Sequence, residues 1–415
     1  MAKVLVIGGG GREHAIVHAL SKSSKVDEIY AAPGNAGIAK LAICVNIKDT
    51  ETNKLLEFAK SENFDLVVVG PEASLALGIV DLFEANGIKI FGPKKAAAQI
   101  ESSKNFAKEL MFKYNIPTAR YETFDDYEKA KDFVKISPFP TVIKYDGLAA
   151  GKGVVIANNF KEADEALKDM LLDDKFGKGK VVIEEYLEGP EFSFMCFVDG
   201  CNVYPLEMAQ DHKRAYDNDM GPNTGGMGAY TPLPFITKED YDSALNEIMI
   251  PTAKALVNEE KPFKGVLYGG LMKTKSGIKV IEFNGRFGDP ETEVVLPRLT
   301  SDIYDAFMAI VDGKAPKLTW DNKYCIGVVL ASKGYPEAYK KGAIIEGADS
   351  DDIYHMGTKI DENGNLVTNG GRVLFAVGKG DTLEEANKNA LKIVNEIKCD
   401  NLFHRTDIGA KAYRK

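Results

Sequence analysis

Within its first hundred residues the chain alternates short apolar runs with helical patterns, and glycine marks the changes. Val4–Ile7 reads as a buried strand, Gly8–Gly11 as a turn, and Arg12-Glu13-His14 opens a helical pattern. Leu55–Lys60 reads as helix, Leu66–Val69 as strand, Ile79–Ala85 as helix and Ile88–Phe91 as strand, with Gly92-Pro93 after it. Repeated strand–turn–helix units predict an open parallel α/β domain over residues 1–103. Ligands of such sheets sit outside strand C-termini, so the loops Gly8–Gly11, Pro33–Gly37 and Gly70–Glu72 are expected to face one crevice. A dinucleotide fingerprint does not fit. Glu13 occupies the third glycine position, and the strand Glu28–Ala32 runs into Pro33-Gly34 with no acidic residue for a ribose. That argues against a nicotinamide oxidoreductase and leaves an anion pocket at a helix N-terminus. His14 and His18 are spaced i,i+4, but no Glu follows the first, so helix packing explains them better than a metal pair.

The stretch Pro140–Ile156 combines an apolar run ending in Lys144, a Gly-rich loop carrying Lys152, and a second apolar run, Val154–Ile156. Two strands joined by a loop are expected, with Gly151 and Gly153 letting backbone N–H groups approach a phosphate. It is not a Walker A loop. Three residues, not four, separate Gly147 from Gly151, Gly153 stands where Ser or Thr is needed, and a β-branched run follows instead of a helix. Before this stretch, Lys94–Tyr114 reads as one long helix containing Ser103-Lys104. After it, Val181–Leu187 reads as a strand turning into a Gly-Pro loop. Residues from about 119 to 190 are expected to form a compact α+β flap unit inside a larger domain over 104–324. A strand hinge of this kind can present backbone groups to a purine edge while Glu191 takes ribose hydroxyls.

Gln210–Tyr230 is polar, glycine-rich and long, and reads as an ordered substrate loop without secondary structure. Gly265–Leu271 and Ile278–Phe283 read as paired strands. Glu282 and Asn284 alternate, so they share one strand face, and two oxygen donors on one face suit Mg²⁺. The tail over 325–415 reads as a small α+β domain, with strands at Ile326–Leu330 and Val373–Val377 and a turn in Asp361–Asn365. Thr382 and Glu385 form a capping box before an amphipathic helix. The tail carries no visible chemistry and is expected only to close the site.

The formal charge of -9 argues against a nucleic-acid binder. No apolar run approaches a membrane span, and the N-terminus runs directly into a strand without a signal-peptide pattern. Cys44, Cys196, Cys201, Cys325 and Cys399 are odd in number and scattered, which fits reduced thiols in a cytoplasmic protein.

Together the Gly-Lys-Gly flap, the acidic strand hinge and the Glu-x-Asn strand form one logical set: phosphate grip, adenine edge and metal. The set resembles the ATP-grasp architecture. The segments IGGGGREHA, APGNAG, GPE, DGLAAGKGV, QDHKR, GPNTGGMGAY and EFNGRFGDPE resemble the phosphoribosylamine–glycine ligase (glycinamide ribonucleotide synthetase) family, in order from the first strand to Arg298. Two positions depart from the family pattern. Gly285 stands where Cys or another small residue is frequent, and Tyr145 follows Lys144 where Ala is more usual.

The resemblance implies a multidomain α/β and α+β enzyme that ligates glycine to 5-phosphoribosylamine with ATP through glycyl phosphate, an early step of purine synthesis. It implies that Lys104, Lys144 and Lys152, with Gly151 and Gly153, hold phosphates. It implies that Glu184, Glu185, Tyr186 and Leu187 read adenine and Glu191 the ribose. Glu282 and Asn284 would bind Mg²⁺ or Mn²⁺. Gly9, Gly10, Gly11, Asn35 and Glu72 would meet the phosphoribosyl group. Asp211, Lys213, Asn223, Gly225, Gly226, Met227, Arg286 and Asp289 would order glycine and the amine, with Lys152, Arg286, Asp289 and Asp211 nearest the chemistry. The expected partners are these small molecules alone, with no nucleic acid and no membrane, and the chain is expected to act as a monomer. The rivals are another carboxylate–amine ligase of the same architecture, a nicotinamide oxidoreductase, and a non-catalytic nucleotide sensor.

Overall fold

A computed structural model describes residues 1–148, 153–173, 175 and 177–413. The N-terminal domain contains β1 (Ala2–Gly8), α1 (Gly11–Ser21), β2 (Val26–Pro33), β3 (Ile43–Cys44), α2 (Thr52–Glu62), β4 (Leu66–Val69), α3 (Glu72–Ala76), α4 (Ile79–Glu84) and β5 (Ile90–Phe91). The strands form a parallel sheet in the order β3-β2-β1-β4-β5. Strand side chains alternate faces, and both faces of β1 are covered. Val4 and Val6 pack with Ala15, Ile16 and Leu20 of α1, while Leu5 and Ile7 pack with Leu55 of α2 and Phe83 of α4. β5 is shorter than the expected Ile88–Phe91. The Ile88 N–H is bonded to Phe83 O at the end of α4, so the chain is still turning there.

The expected single helix over Lys94–Tyr114 is two: α5 (Lys95–Ser102) and α6 (Lys104–Lys113). Ser103 breaks it. Its backbone is extended and its Oγ caps α6 by accepting from Phe106 N, a stronger preference for serine than helix interior. The break brings Lys104 to the start of a helix at the base of the flap.

The flap unit holds β6 (Tyr121–Phe124), α7 (Tyr127–Ile136), β7 (Thr141–Tyr145), β8 (Val154–Ala157), α8 (Phe160–Leu171) and β9 (Val181–Glu185). Its sheet, in the order β6-β9-β7-β8, is antiparallel and packs its own small core of Val134, Ile143, Leu167, Met170 and Ile183. The loop residues Gly151 and Lys152 lie outside the described residues.

β10 (Glu191–Asp199) and β11 (Asn202–Pro205) begin the central unit. Residues 210–231 then form β12 (Gln210–Asp211), β13 (Arg214–Tyr216), β14 (Met220–Asn223) and β15 (Gly228–Thr231). The expected structureless substrate loop is therefore corrected: β13 and β14 make a hairpin, and β12 pairs with β15. These strands are only two to four residues long, too short for hydrophobic alternation to reveal. α9 (Lys238–Ser243) and α10 (Ile250–Asn258) follow. β16 (Lys264–Thr274) and β17 (Gly277–Asn284) complete a sheet in the order β11-β10-β16-β17. α11 (Thr292–Val295) and α12 (Ile303–Val311) lead into the C-terminal unit.

That unit contains β18 (Tyr324–Ser332), β19 (Ile353–His355), β20 (Thr358–Ile360), β21 (Leu366–Thr368), β22 (Arg372–Gly380), α13 (Leu383–Glu396) and β23 (Leu402–Phe403). Its main sheet runs β12-β15-β18-β22-β19, so two strands come from the central unit and the sheet crosses residue 325. Thr382 caps α13 by accepting from Glu385 N, while Glu385 takes the Asp381 N–H. No helix among the described residues is long and apolar enough to cross a membrane. The five cysteines are unpaired.

Candidate active site

The crevice opens at the C-terminal edge of β1. Glycine is required there by close approach: a side chain on Gly9 would run into Gly34 O, and one on Gly70 into the Glu13 carboxyl. The three N-terminal loops therefore meet at one place. Glu13 fills part of the space at the start of α1. Its Oε2 accepts the Gly10 N–H at 2.7 Å, and its Oε1 pairs with Arg12. Gly10 thus has its N–H satisfied inside the protein, while among the described residues no hydrogen bond uses the N–H of Gly9 or Gly11.

Asn35 departs from its expected role. Its amide donates to Gly9 O at 3.0 Å and to His355 O at 2.7 Å, and its oxygen accepts from Gly37 N and Ile38 N. It braces the loop against both β1 and the C-terminal unit. Met227 also departs, because its side chain is fully buried in the core and its backbone bonds to His212 and Val329. His14 accepts the His355 N–H at Nδ1, and burial pushes His14 down to about 3 and His18 down to about 4. Both are neutral packing residues. Among the described residues, no group of three or more His, Cys, Asp or Glu could hold a metal.

At the crevice wall, Arg286 lies 3.1 Å from Glu101 and 3.7 Å from Glu72. Burial would raise the Glu72 carboxyl, but Arg286 and Arg12 hold it below its ordinary range. Arg372 of β22 pairs with Asp289 at 2.9 Å and donates to Gly225 O at 2.9 Å. Gly225 N in turn donates to the Tyr335 hydroxyl at 2.9 Å, and Gly226, at φ +114°, packs on Pro290. Asn223 ends β14, exposed beside this loop. The C-terminal unit reaches the crevice here. Its β22 brings an arginine into the wall. Gly370-Gly371-Arg372 was the available signal, since paired glycines beside an arginine mark a close backbone approach.

A small polar pocket lies between the central sheet and β12, lined by Glu191, Ser193, Asp211, Lys213, Tyr268 and Glu282. Lys213 pairs with Glu191 at 3.1 Å, and that carboxylate first, with Asp211 and Glu282 after burial's opposing effect, raises the ammonium well above its usual range. Burial pushes Asp211 up to about 7, partly offset by Lys213. Tyr268, Ser193 and Glu291 form a buried hydrogen-bonded triangle at 2.7–2.8 Å beneath the pocket. Ser193 and Tyr268 carried no sequence signal of their own, whereas Glu291 ends the segment EFNGRFGDPE.

Glu282 is the electrostatic centre. Burial alone would raise its carboxyl, yet Lys213, Lys144, Lys104 and Arg286 together hold it below its ordinary range. Asn284 stands two residues on, on the same strand, and its amide has no hydrogen bond among the described residues. One carboxylate and one amide oxygen fit a hard divalent cation that completes its shell with phosphates and water.

The flap base is held by charge. Lys104 donates to Gly147 O at 3.0 Å, and burial lowers its basicity. Lys144 donates to Ile281 O at 2.8 Å and pairs with Glu184 at 3.0 Å; Lys108 pairs with the same carboxylate at 2.9 Å. The Glu184 side chain is thus committed to lysines. Glu185 pairs with Lys279 at 3.4 Å. Among the described residues, nothing bonds the backbone N–H or C=O of Tyr186 or Leu187. Gly153 O accepts from Tyr145 N at 2.8 Å, closing the root of the flap loop.

Family models match three parts of the chain: the phosphoribosylglycinamide synthetase N domain over residues 2–101, its ATP-grasp (A) domain over 102–292, and its C domain over 325–411. A phosphoribosylamine–glycine ligase from Halalkalibacterium halodurans is 53% identical over 415 residues, covering 99% of this chain and 97% of the relative. One from Neisseria meningitidis serogroup B is 50% identical, with 100% of each chain covered. The crystal structure of the Thermotoga maritima phosphoribosylamine–glycine ligase superposes with a TM-score of 0.89 at 35% identity, covering 98% of this chain and 100% of that one. A biotin carboxylase from Campylobacter jejuni shares the fold, with a TM-score of 0.76 at 15% identity over 97% of this chain and 93% of that one. On the family models and the full-length likeness alike, the chain belongs to the phosphoribosylamine–glycine ligase family.

Proposed function

We propose that the crevice joins glycine to 5-phosphoribosylamine at the expense of ATP, yielding glycinamide ribonucleotide, ADP and phosphate. The observation that carries this reading is Glu282, a cleft carboxylate held ionised by Lys104, Lys144, Lys213 and Arg286. Such a cluster suits a polyphosphate and its cation. A divalent cation, Mg²⁺ or Mn²⁺, supplies charge neutralisation there, and Glu282 with Asn284 are the residues that hold it.

The chemistry proceeds in two displacements. A glycine carboxylate oxygen attacks the γ-phosphorus of ATP, and the bond to ADP breaks. The amine nitrogen then attacks the carbonyl carbon of glycyl phosphate, phosphate leaves with the bonding pair, and the nitrogen gives up one proton, which Asp211 is suited to accept. Lys104 and Lys144 meet the phosphates, and the flap residues Gly151, Lys152 and Gly153 cover them. The unbonded backbone of Tyr186 and Leu187 meets the adenine edge, with Glu191 at the ribose. Lys213, Asp211 and Arg286 order glycine and the amine. The phosphoribosyl group lies against Gly9–Gly11, with Glu72, Asp289 and Arg372 around it. Closure of the flap excludes water from the acyl phosphate. The unpaired cysteines suit a reducing cytoplasm.

The test is ADP release from ATP and Mg²⁺, with and without glycine and freshly generated phosphoribosylamine. Release that needs both co-substrates supports the reading. Release with a different carboxylate, or with neither co-substrate, overturns the substrates while keeping the fold.

A further inference from the structure

Glu293 is the only carboxylate among the described residues with both oxygens buried and unbonded. Its side chain is fully buried in α11, with Oε1 packed against the Cα of Gly11, so that any side chain at Gly11 would strike it. The neighbouring charges are already committed. Arg372 of β22 pairs with Asp289 and Gly225 O, and Arg12 of α1 pairs with Glu13 and Phe287 O. Asp289 from the preceding loop adds a like charge, and Tyr354 of β19 adds only a neutral phenol. An ionised carboxylate in that position would be desolvated, with Arg372 and Arg12 offsetting only part of a penalty of several kcal/mol. Burial first, then Asp289, raises this carboxyl well above its ordinary range against the smaller opposing effects of Arg372 and Arg12, which favours the uncharged acid.

A buried O–H without an acceptor is itself unfavourable, so the group calls for a role. It sits beneath the first turn of an eleven-residue helix, where free N–H groups and the helix dipole favour an anion. We propose that Glu293 is a positioning residue for the phosphate-bearing substrate, packed under Gly11 to hold the first turn of α1 and the Asp289–Arg372 pair where they meet that substrate's anionic group. This inference rests on the phosphoribosyl placement proposed above. An uncharged acid fills the space without adding negative charge below the anion. Once ionised at alkaline pH, the same group opposes that anion.

Ribose 5-phosphate is the probe, because it is stable and its phosphate is already doubly ionised above about pH 7.5. Its affinity for the full chain is measured from about pH 7.5 to 9.5, beside ATP affinity, by calorimetric titration. Wild-type affinity should fall more steeply with pH than that of Glu293→Gln, which cannot ionise and should change less than about twofold. Glu293→Ala should bind ribose 5-phosphate weakly at every pH and ATP normally. Glu293→Gln following the wild-type curve overturns the inference, as does Glu293→Ala weakening both ligands alike with a lowered Tm. If Glu293→Ala does not fold, the Gln comparison decides. Wild type failing to bind ribose 5-phosphate at any pH overturns the substrate placement, and this inference with it.

Discussion

Arg372 and Asp289 are ion-paired at 2.9 Å across 83 residues of sequence, joining the C-terminal sheet to the loop after β17. The same guanidinium donates to Gly225 O, so one side chain ties together the tail, the Asp289 loop and the Gly225–Gly226 turn. Arg372→Ala should raise KM for the phosphorylated amine about 10- to 100-fold, the range of a lost charge-assisted hydrogen bond, and leave KM for ATP within about twofold. Lysine should rescue poorly, because it lacks the fork that meets two acceptors. Steady-state kinetics with each co-substrate varied in turn checks this; equal effects on both KM values would assign Arg372 to folding alone.

Glu184 offers one carboxylate to two lysines, Lys108 at 2.9 Å and Lys144 at 3.0 Å, and all three side chains are nearly fully buried. Glu184→Gln leaves two buried ammonium groups without a counter-charge and should lower stability by about 3–5 kcal/mol. Burial outweighs Glu184 and lowers Lys108 to about 8 from 10.5. The folded state therefore releases this proton before the unfolded chain does. Stability from this group rises with pH between about 8 and 10.5. Urea unfolding across that window should show wild type gaining on Lys108→Met; a constant difference would mean that Lys108 stays charged.

Much of this arrangement was legible because its signals are local. Alternation of apolar runs with glycine turns marks the parallel sheet, since Val4–Ile7 must be covered on both faces. Glu282 and Asn284 share a face by the period of a strand alone. What stayed hidden depends on tertiary partners. Ser103 reads as helix interior until its capping bond is seen, and residues 210–231 read as loop because their strands are only two to four residues long. Asn35 and Met227 lie inside segments that resemble the family, yet one braces backbone and the other fills the core. Motif membership does not separate a residue that touches ligand from one that holds its neighbour in place. Arg372 follows the pair Gly370-Gly371, a local signal that does not say what is approached, and only the sheet that crosses residue 325 brings it into the crevice.

Asp211 is poised to exchange a proton near neutrality. Burial pushes its carboxyl up to about 7, Lys213 limits the rise, and Glu291 and Glu191 add to it. Below that pH the group is protonated and cannot accept the amine proton; above it, it can. Turnover should therefore rise with pH through about 7. Asp211→Asn should remove that limb and lower kcat about 100-fold or more, with KM for ATP little changed. A pH–kcat profile of wild type and variant decides, and a limb that persists in the variant would assign the proton transfer to another group.

The last described residues strap the hairpin that follows Asp211. Arg405, fully buried, pairs with Asp407 at 2.7 Å and Asp219 at 3.2 Å and donates to Arg214 O at 3.0 Å. Thr406 bonds Asp217 at 2.7 Å, and Gly409 N donates to His212 Nε2 at 3.2 Å. His212 stands between the two polar residues of the pocket, so the strap fixes the backbone that presents Asp211 and Lys213. Arg405→Ala leaves Asp407 without its main counter-charge and Asp219 with Lys411 at 2.9 Å, and should lower stability by about 3 kcal/mol. The local effect should be larger than the global one. Amide exchange over residues 212–223 should accelerate before the rest of the chain, and kcat should fall with the unfolding midpoint still above the assay temperature. Loss of exchange protection confined to the residues after 404, with kcat unchanged, would make the strap a passive terminus.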